Sequence, residues 1–328
     1  MSAVAGRGAP VADSPATTAG QRPAASGHRT PDSGQRTADG RPQTDAPSRF
    51  SDYLQLTKPR ITLLVVISAL VGYLAGARAV EPLLLANTLF GTSLVAAAAA
   101  AFNQLIERRT DADMRRTAGR PLPAGRIEAD AAALFAFGLF TVGSAWLAGL
   151  VNPLAAFVGA FTTASYILLY TPLKRVTTLA TVIGAVPGAL PPLIGWAAAR
   201  GRLDVEAWVL FGIMFLWQMP HFLAIAALWR ADYARAGMRV LPVVEPDGAS
   251  TGRQSFLYAL ALVPVSLLPA LLGMAGPVYF AGALALGLAF LAVTIRFAAR
   301  PAEPGRARAV FRLSLLYLPG LWLLLVVG

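Results

Sequence analysis

The sequence predicts an all-α membrane protein, a polytopic bundle of nine transmembrane helices. Hydrophobic residues make up 56% of the 328 residues, mean hydropathy is +0.58, and only 14% of residues are charged, well below the usual fraction in soluble proteins. Nine apolar stretches also occur, each close to the ~20 residues that a helix needs to cross a bilayer. The predicted spans are 60–79, 83–106, 130–149, 153–171, 178–199, 207–228, 255–275, 277–297 and 309–327.

The first 50 residues differ in composition from the rest of the chain. They are rich in Ala, Gly, Pro, Ser, Thr, Asp and Arg and contain almost no large apolar residues. Such a segment buries too little surface to offset the entropy cost of ordering, and it lacks the apolar core of a secretory signal. We therefore predict a disordered tail at 1–50 and a transmembrane domain at 51–328.

The positive charges are distributed unevenly between the two ends of the predicted helices. All but three of the 28 Lys and Arg lie in the tail, at the entry to the first span, or in the loops after the second, fourth, sixth and eighth spans. The positive-inside rule then predicts a cytoplasmic N-terminus, an external C-terminus and chemistry at the cytoplasmic face. The net charge of +11 does not indicate nucleic acid, because the arginines lie in short loops between apolar segments.

A group of polar residues follows the second span. Asn103, Glu107 and Asp111 are four residues apart, so on a helix they share one face. An amide and two carboxylates are oxygen ligands that suit a divalent hard cation such as Mg²⁺. Guanidinium groups that suit phosphate follow at once, at Arg108, Arg109, Arg115, Arg116, Arg120 and Arg126. The combination predicts a site for a magnesium-bound diphosphate, although acids paired with neighbouring arginines would be the simpler alternative.

Two further motifs lie on the same predicted side of the membrane. Tyr170 to Arg175, with Lys174, follows the fourth span, where the basic residues could equally act only as topology determinants. The sixth span contains His221, and Asp232 lies eleven residues further on, near the same helical face. His221 could be an ordinary packed residue, and Asp232 could be a second metal ligand or a surface partner of a nearby arginine.

Several of these stretches together resemble the UbiA superfamily of intramembrane prenyltransferases, and within it the haem-modifying branch. The resemblance covers most of residues 53–328 and is carried by LTKPRITLLV (56–65), FNQLIERRTDADMRRTAGRPLPAGRI (102–127), YTPLKR (170–175), GAVPGALPPLIGW (184–196) and QMPHFLAIAALWRADYARAGMRVLP (218–242). It implies a Mg²⁺-dependent transferase that moves a farnesyl group from farnesyl diphosphate to a vinyl group of haem B. The product would be haem O, for haem A synthase or terminal oxidase assembly.

The resemblance also implies roles for individual residues. Asn103, Glu107 and Asp111 match the first motif of the family, and Asp232 alone is carried over from the second motif, since neither residue four positions away is acidic. The catalytic residues it implies are Asn103, Glu107, Asp111 and Lys174, and the metal ligands are Asn103, Glu107, Asp111 and Asp232. The implied substrate-binding residues are Arg115, Arg116, Arg120, Tyr170, Arg175, His221 and Asp232.

Three alternatives remain open from the sequence. The first is a prenyltransferase of the same fold that acts on an aromatic quinone precursor. A transporter would also have many spans, but no inverted repeat is evident and the acids lie at one boundary rather than at the midplane. A structural assembly factor without catalysis is disfavoured by the intact set of acids and arginines.

The absence of cysteine excludes thiolate chemistry, and only two histidines exist, so a site of several histidines is excluded.

Overall fold

The computed structural model describes residues 48–328, and within them the chain forms helices and no strands. This part of the chain contains nine helical spans long and apolar enough to cross a membrane, which confirms the predicted fold class. The predicted tail lies outside the described residues except for its last three positions, of which Arg49 and Phe50 already belong to the first helix.

Fourteen α-helices and one π-helical segment follow one another along the described chain. In order they are α1 (Arg49–Leu56), α2 (Pro59–Gly76), α3 (Pro82–Ala112), α4 (Ala129–Leu150), α5 (Pro153–Ala164), the π-helix (Ser165–Tyr170), α6 (Thr171–Leu173), α7 (Ala180–Ala189), α8 (Pro191–Arg200), α9 (Val205–Leu228), α10 (Arg230–Arg235), α11 (Leu241–Val244), α12 (Ala249–Leu271), α13 (Pro277–Ala299) and α14 (Pro304–Val327). The fourth span combines α5, the π-helix and α6, and the fifth combines α7 and α8.

Proline defines the first turn of many of these helices. Its fixed φ suits the first helical position, where a backbone N–H would have no partner within the helix. Asn152 adds a side-chain cap to α5 by accepting a hydrogen bond from the backbone N–H of Ala155 at 2.8 Å. Prolines begin α2, α3, α5, α8, α13 and α14 in this way.

Helix α3 is longer than a bilayer requires. Its 31 residues extend over about 46 Å at 1.5 Å per residue, against a hydrocarbon core of about 30 Å. The charged residues of α3 lie in its C-terminal turns, after the apolar stretch of the helix. Glu107 and Asp111 are therefore carried by the same helix that forms the second span.

The fifth span is broken and packs closely against its neighbours. Leu190 separates α7 from α8, and α8 begins at Pro191–Pro192, within a run of small residues and prolines at 183–196. Gly72 of α2 lies against the backbone of Pro192, and Gly195 of α8 lies against the backbone of Ala69, so a side chain at either glycine would collide with main chain. This close contact fixes α8 beside α2 at the centre of the bundle.

Candidate active site

Asn103, Glu107 and Asp111 share one polar cavity at the C-terminal end of α3, as their spacing predicts. Asn103 and Asp111 are each only 1% exposed. We call this cavity of about 210 Å³ the mouth. Its polar lining also includes Lys58, Arg116, Arg120, Tyr166, Tyr170, Lys174 and Tyr233.

Each of the three residues on α3 is hydrogen-bonded to one cationic side chain. Lys58 Nζ donates to Asn103 Oδ1 at 2.8 Å. Lys174 Nζ donates to Glu107 Oε1 at 2.7 Å, and Arg120 Nη1 donates to Asp111 Oδ2 at 2.6 Å. The three cations come from the start of α2, the end of the fourth span and the loop after α3. Segments far apart in sequence therefore meet in one charged site.

Lys58 reaches the mouth from an unusual backbone conformation. It has φ 47° and ψ 63°, and it is the only non-glycine residue with positive φ among the described residues. A non-glycine residue in this region costs about 1–3 kcal/mol and persists only where the surrounding structure holds it. Gln104, next to Asn103, supplies such a restraint, because its Nε2 donates to the carbonyls of Gln55 and Leu56 at 3.0 and 2.9 Å.

The pKa values of the two lysines of the mouth are shifted in opposite directions. Burial lowers the pKa of Lys58 to about 8, and the neighbouring Arg120 guanidinium adds to the shift. Burial also acts against the charge of Lys174, but its electrostatic interactions with Tyr170, Tyr166 and the Glu107 carboxylate outweigh burial and raise its pKa above the ordinary value. Lys174 is thus held as a cation by its ion pair.

The π-helix directs two tyrosines towards the same place. π-Helical segments are rare and occur frequently at functional sites. Here the segment places the rings of Tyr166 and Tyr170 5.3 Å apart, and Lys174 Nζ lies 4.3 Å from the centre of the Tyr170 ring. A cation over an aromatic face is electrostatically favourable. Both rings line the mouth and also the cavity beneath it.

That second cavity, which we call the chamber, has a volume of about 300 Å³ and is largely apolar. It shares Lys58, Ile61, Tyr166, Tyr170 and Phe222 with the mouth, so the two cavities adjoin. Its lining continues along α3 through Ala100, Ala99, Ala96, Val95 and Thr92. The run of small residues and prolines at 183–196 also contributes, at Gly184, Pro187, Gly188 and Pro191, so this run both packs and lines a cavity.

The structure brings most of the predicted site residues together. Those that line the mouth are Asn103, Glu107, Asp111, Arg116, Arg120, Tyr170 and Lys174. Arg115 and Arg175 are exposed and lie outside it. An arginine in a short loop can extend into water, so sequence proximity to a site does not decide its direction.

Asp232 does not lie in the mouth. Its carboxylate is paired with Arg235 one turn further along α10, and it lines a separate shallow cavity with Arg115 and Arg116. The eleven-residue spacing from His221 assumed one continuous helix, but α9 ends at Leu228 and α10 begins at Arg230. The break places Asp232 in this cavity, which shares Arg116 with the mouth, and not in the mouth with Asn103, Glu107 and Asp111.

His221 also lies outside the mouth and the chamber. It is half-buried between α9 and α14, where its Nδ1 lies 2.7 Å from Ser314 Oγ. The adjacent Phe222, in contrast, lines both cavities. Phe222 therefore belongs to the wall of the site, whereas His221 lies just outside it.

Three residues of the mouth were missed by the sequence reasoning. Lys58 lies before a proline at the entry to the first span, in a stretch noted only for the resemblance. Tyr166 lies one turn before Tyr170, and Tyr233 adjoins Asp232. Burial raises the pKa of Tyr233, so its phenol stays protonated and can donate to an anion. The sequence signal that could have identified Lys58 is a lysine next to a proline at the entry to the first span.

The arrangement of a charged mouth above an apolar chamber suits an amphiphile with an anionic head, and comparison with known proteins bears on this directly. The UbiA prenyltransferase family matches residues 65–316. The chain belongs to the UbiA prenyltransferase family. A match of this length covers every span except part of the first and the end of the last, so this UbiA family member contains the nine-span domain almost entirely.

Curated relatives of this UbiA family member share much of its sequence. A protoheme IX farnesyltransferase of Solibacter usitatus is 51% identical over 280 residues, which are 82% of this chain and 95% of the relative. Another protoheme IX farnesyltransferase, from Opitutus terrae, is 45% identical over 83% of this chain and 92% of its own length.

Solved structures share the fold. A digeranylgeranylglyceryl phosphate synthase superposes with a TM-score of 0.73 at 19% identity, over 85% of this chain and 98% of that protein. A UbiA homologue of Archaeoglobus fulgidus, bound to DMAPP and Mg²⁺, superposes with a TM-score of 0.60 at 16% identity, over 85% and 100% of the two chains.

Proposed function

We propose that this protein transfers a farnesyl group from farnesyl diphosphate to a vinyl group of haem B, giving haem O and diphosphate. The observation that carries the proposal is the juxtaposition of mouth and chamber. Three cations and three oxygen ligands meet at the top of an apolar cavity, which fits a prenyl diphosphate of matching polarity. The relatives named protoheme IX farnesyltransferase support the choice of acceptor and prenyl group.

The donor set of the mouth fits Mg²⁺. Asn103 Oδ1, the Glu107 carboxylate and the Asp111 carboxylate are hard oxygen ligands on successive turns of one helix. Asn103 and Asp111 are withdrawn from bulk water, and in this structure each of the three accepts a hydrogen bond from a cation of the chain. Asn103, Glu107 and Asp111 would hold Mg²⁺, which would supply positive charge that offsets part of the negative charge of a bound diphosphate. Asp232, paired with Arg235, is not included in this ligand set.

The cations of the chain stabilise the leaving group. When the bond between C1 of the prenyl chain and its diphosphate oxygen breaks, the electron pair stays with oxygen and negative charge grows there. Lys58, Lys174, Arg116 and Arg120 surround this position before reaction begins. Preplaced charge of this kind favours the transition state over the ground state. The Tyr170 and Tyr233 phenols can donate further hydrogen bonds to the departing oxygens.

The chamber holds the prenyl chain and shields the reacting carbon. Its walls along α3 are alanines and Val95, and α7 adds glycine and proline, so its surface offers few polar atoms to a carbocation. Exclusion of water limits premature hydrolysis of the reactive chain. The Tyr166 and Tyr170 rings lie where mouth and chamber meet and present π-faces that can stabilise a cation.

The acceptor completes the reaction with balanced atoms. The electron pair of the vinyl group forms a bond from its terminal carbon to C1 of the farnesyl chain. The adjacent carbon, next to the porphyrin ring, becomes cationic and is attacked by the oxygen of a water molecule. The water loses a proton, for which diphosphate is an acceptor. The sum is haem B plus farnesyl diphosphate plus water, giving haem O, diphosphate and a proton.

The proposal includes orientation and partners. The distribution of Lys and Arg supports a cytoplasmic N-terminus and an external C-terminus, with the mouth at the cytoplasmic face of the cell membrane. Farnesyl diphosphate would then enter from the cytoplasmic side, and haem B would enter through the lipid bilayer. The product would pass to haem A synthase or to terminal oxidase assembly.

Haem extraction tests the proposal. We expect expression in a bacterium that lacks haem O synthase to yield a more hydrophobic haem, with the mass of a hydroxyethylfarnesyl derivative, by reversed-phase chromatography. Asp111→Ala should abolish it, and the exposed neighbour Asp113→Asn is the matched control that should retain it. Absence of modified haem from well-inserted protein, with prenylation of an aromatic acceptor, would indicate the quinone branch. Absence of any Mg²⁺-dependent diphosphate release would point instead to transport.

A further inference from the structure

His221 is held rigidly in an aromatic environment. Its ring centre lies 5.1 Å from Trp217, 5.3 Å from Phe311 and 5.6 Å from Phe222. Trp217 also donates from Nε1 to the backbone carbonyl of Ser314 at 2.9 Å, which ties α9 to α14 at this point. The imidazole therefore has a fixed orientation, unlike a histidine that projects freely from a helix.

A chain of hydrogen bonds fixes which ring nitrogen carries the proton. Ser314 Oγ donates to the backbone carbonyl oxygen of Phe311 at 2.7 Å. With its hydroxyl hydrogen directed there, the same oxygen is the acceptor towards His221. The 2.7 Å contact is then a hydrogen bond donated by Nδ1–H of His221. In the neutral ring this leaves a lone pair on Nε2.

That lone pair, on a half-buried ring, has no hydrogen-bond partner in the part of the chain that the structure describes. No described residue forms a hydrogen bond with Nε2, and Nε2 is not among the buried polar atoms that lack a partner. A histidine whose Nδ1–H is fixed by a second partner while Nε2 is open is the usual arrangement of a metal-binding histidine. Here the Ser314 hydroxyl is that second partner.

The position of the lone pair relates it to the reaction. Phe222, the next residue, is 37% exposed and lines both mouth and chamber. A flat aromatic ligand bound at Nε2 would therefore lie at the edge of the cavity in which the prenyl chain reacts. Arg308, one turn before Phe311 on α14, is exposed and forms no ion pair with any described residue, so the helix that packs against His221 also carries a cation that could receive a carboxylate.

We propose that Nε2 of His221 is the axial ligand to the iron of the acceptor, an iron porphyrin bound at the opening marked by Phe222. This inference rests on the proposed function and names the group that orients the acceptor. With the iron fixed, the porphyrin can rotate only about the iron–nitrogen axis, which limits the positions of its vinyl groups. Ser314 is a positioning residue that acts through the tautomer of His221.

Spectroscopic titration tests this site directly. The purified full-length protein in lipid nanodiscs is titrated with haem B and, separately, with iron-free protoporphyrin IX, and the Soret band is followed. We expect His221→Gln, which can still donate to Ser314, to change the haem spectrum and to weaken haem binding at least tenfold. Binding of iron-free protoporphyrin IX should change less than threefold. Added imidazole should restore the wild-type spectrum to His221→Gly, and Ser314→Ala should weaken haem binding about tenfold.

The outcomes separate this inference from the proposed function. Equal haem spectra and affinities for wild type and His221→Gln would overturn iron ligation, whether or not the wild type makes haem O. Equal losses for haem B and iron-free protoporphyrin IX would also overturn it, because they would indicate a general packing role. Haem binding with the expected spectrum but without product in the extraction experiment would count against the proposed function alone. A thermal melt of each variant, with wild-type stability required, excludes misfolding.

Discussion

Lys174 Nζ lies 2.7 Å from Glu107 Oε1, joining residues 67 positions apart in the sequence. The same relation recurs between Lys58 and Asn103, and Arg120 completes the series with its own partner on α3. The protein thus pairs each of these predicted metal ligands with a cation that its substrate requires. We expect the arrival of a metal–diphosphate to exchange these pairs, each cation moving from a ligand oxygen to a phosphate oxygen.

Removal of the Lys174 charge should slow the chemical step. We expect Lys174→Met to lower kcat by about 10²–10³-fold, the range typical for loss of one preorganised group that stabilises developing negative charge. Single-turnover release of diphosphate measures it. Arg253→Met, on the exposed surface of α12, is a matched control that removes one positive charge far from the mouth. Similar losses in both variants would show that total charge matters instead of position.

Gln104 should act through Lys58. Because its amide holds the carbonyls of Gln55 and Leu56, we expect Gln104→Leu to release the left-handed conformation at Lys58 and to raise KM for the prenyl diphosphate several-fold. A double-mutant cycle with Lys58→Met checks the route. Gln104→Leu should add little to Lys58→Met, whereas fully additive losses would indicate that Gln104 acts independently of Lys58.

The chamber should limit prenyl length. Asn103 and Thr92 are eleven residues apart on α3, about 16 Å at 1.5 Å per residue. The twelve-carbon backbone of a farnesyl chain extends about 14 Å, taking roughly 1.25 Å per carbon–carbon bond from standard bond lengths. Val95 and Ile194, which both line the chamber, also lie next to Gly159.

A bulky residue halfway along should therefore shorten the preferred chain. We expect Ala99→Phe to lower kcat/KM for farnesyl diphosphate at least tenfold relative to dimethylallyl diphosphate. Competition assays with the two diphosphates measure the ratio. Leu83→Phe, exposed on the same helix, is the control and should leave the ratio unchanged. An unchanged ratio in Ala99→Phe would mean that the chain lies elsewhere.

Metal removal should stop the reaction reversibly. We expect chelation of divalent cations to abolish diphosphate release and Mg²⁺ to restore it. Asp111→Asn should raise the Mg²⁺ concentration required at least tenfold, because it removes a buried carboxylate ligand. Asp232→Asn tests the second motif, and its ion pair with Arg235 leads us to expect less than a threefold change. A large shift in Asp232→Asn would restore Asp232 to the ligand set.

The sequence by itself determined the nine spans and the first motif. Spans follow from local hydropathy, since a bilayer imposes one helix length on every crossing segment. The spacing of Asn103, Glu107 and Asp111 fixes their common face, because helical periodicity is a local property. Only the tertiary structure decided which distant groups meet them, namely Lys58, Lys174 and Arg120. It also placed Asp232 in a neighbouring cavity, beside Arg235, because the helix breaks after α9 and the spacing from His221 no longer follows one helix.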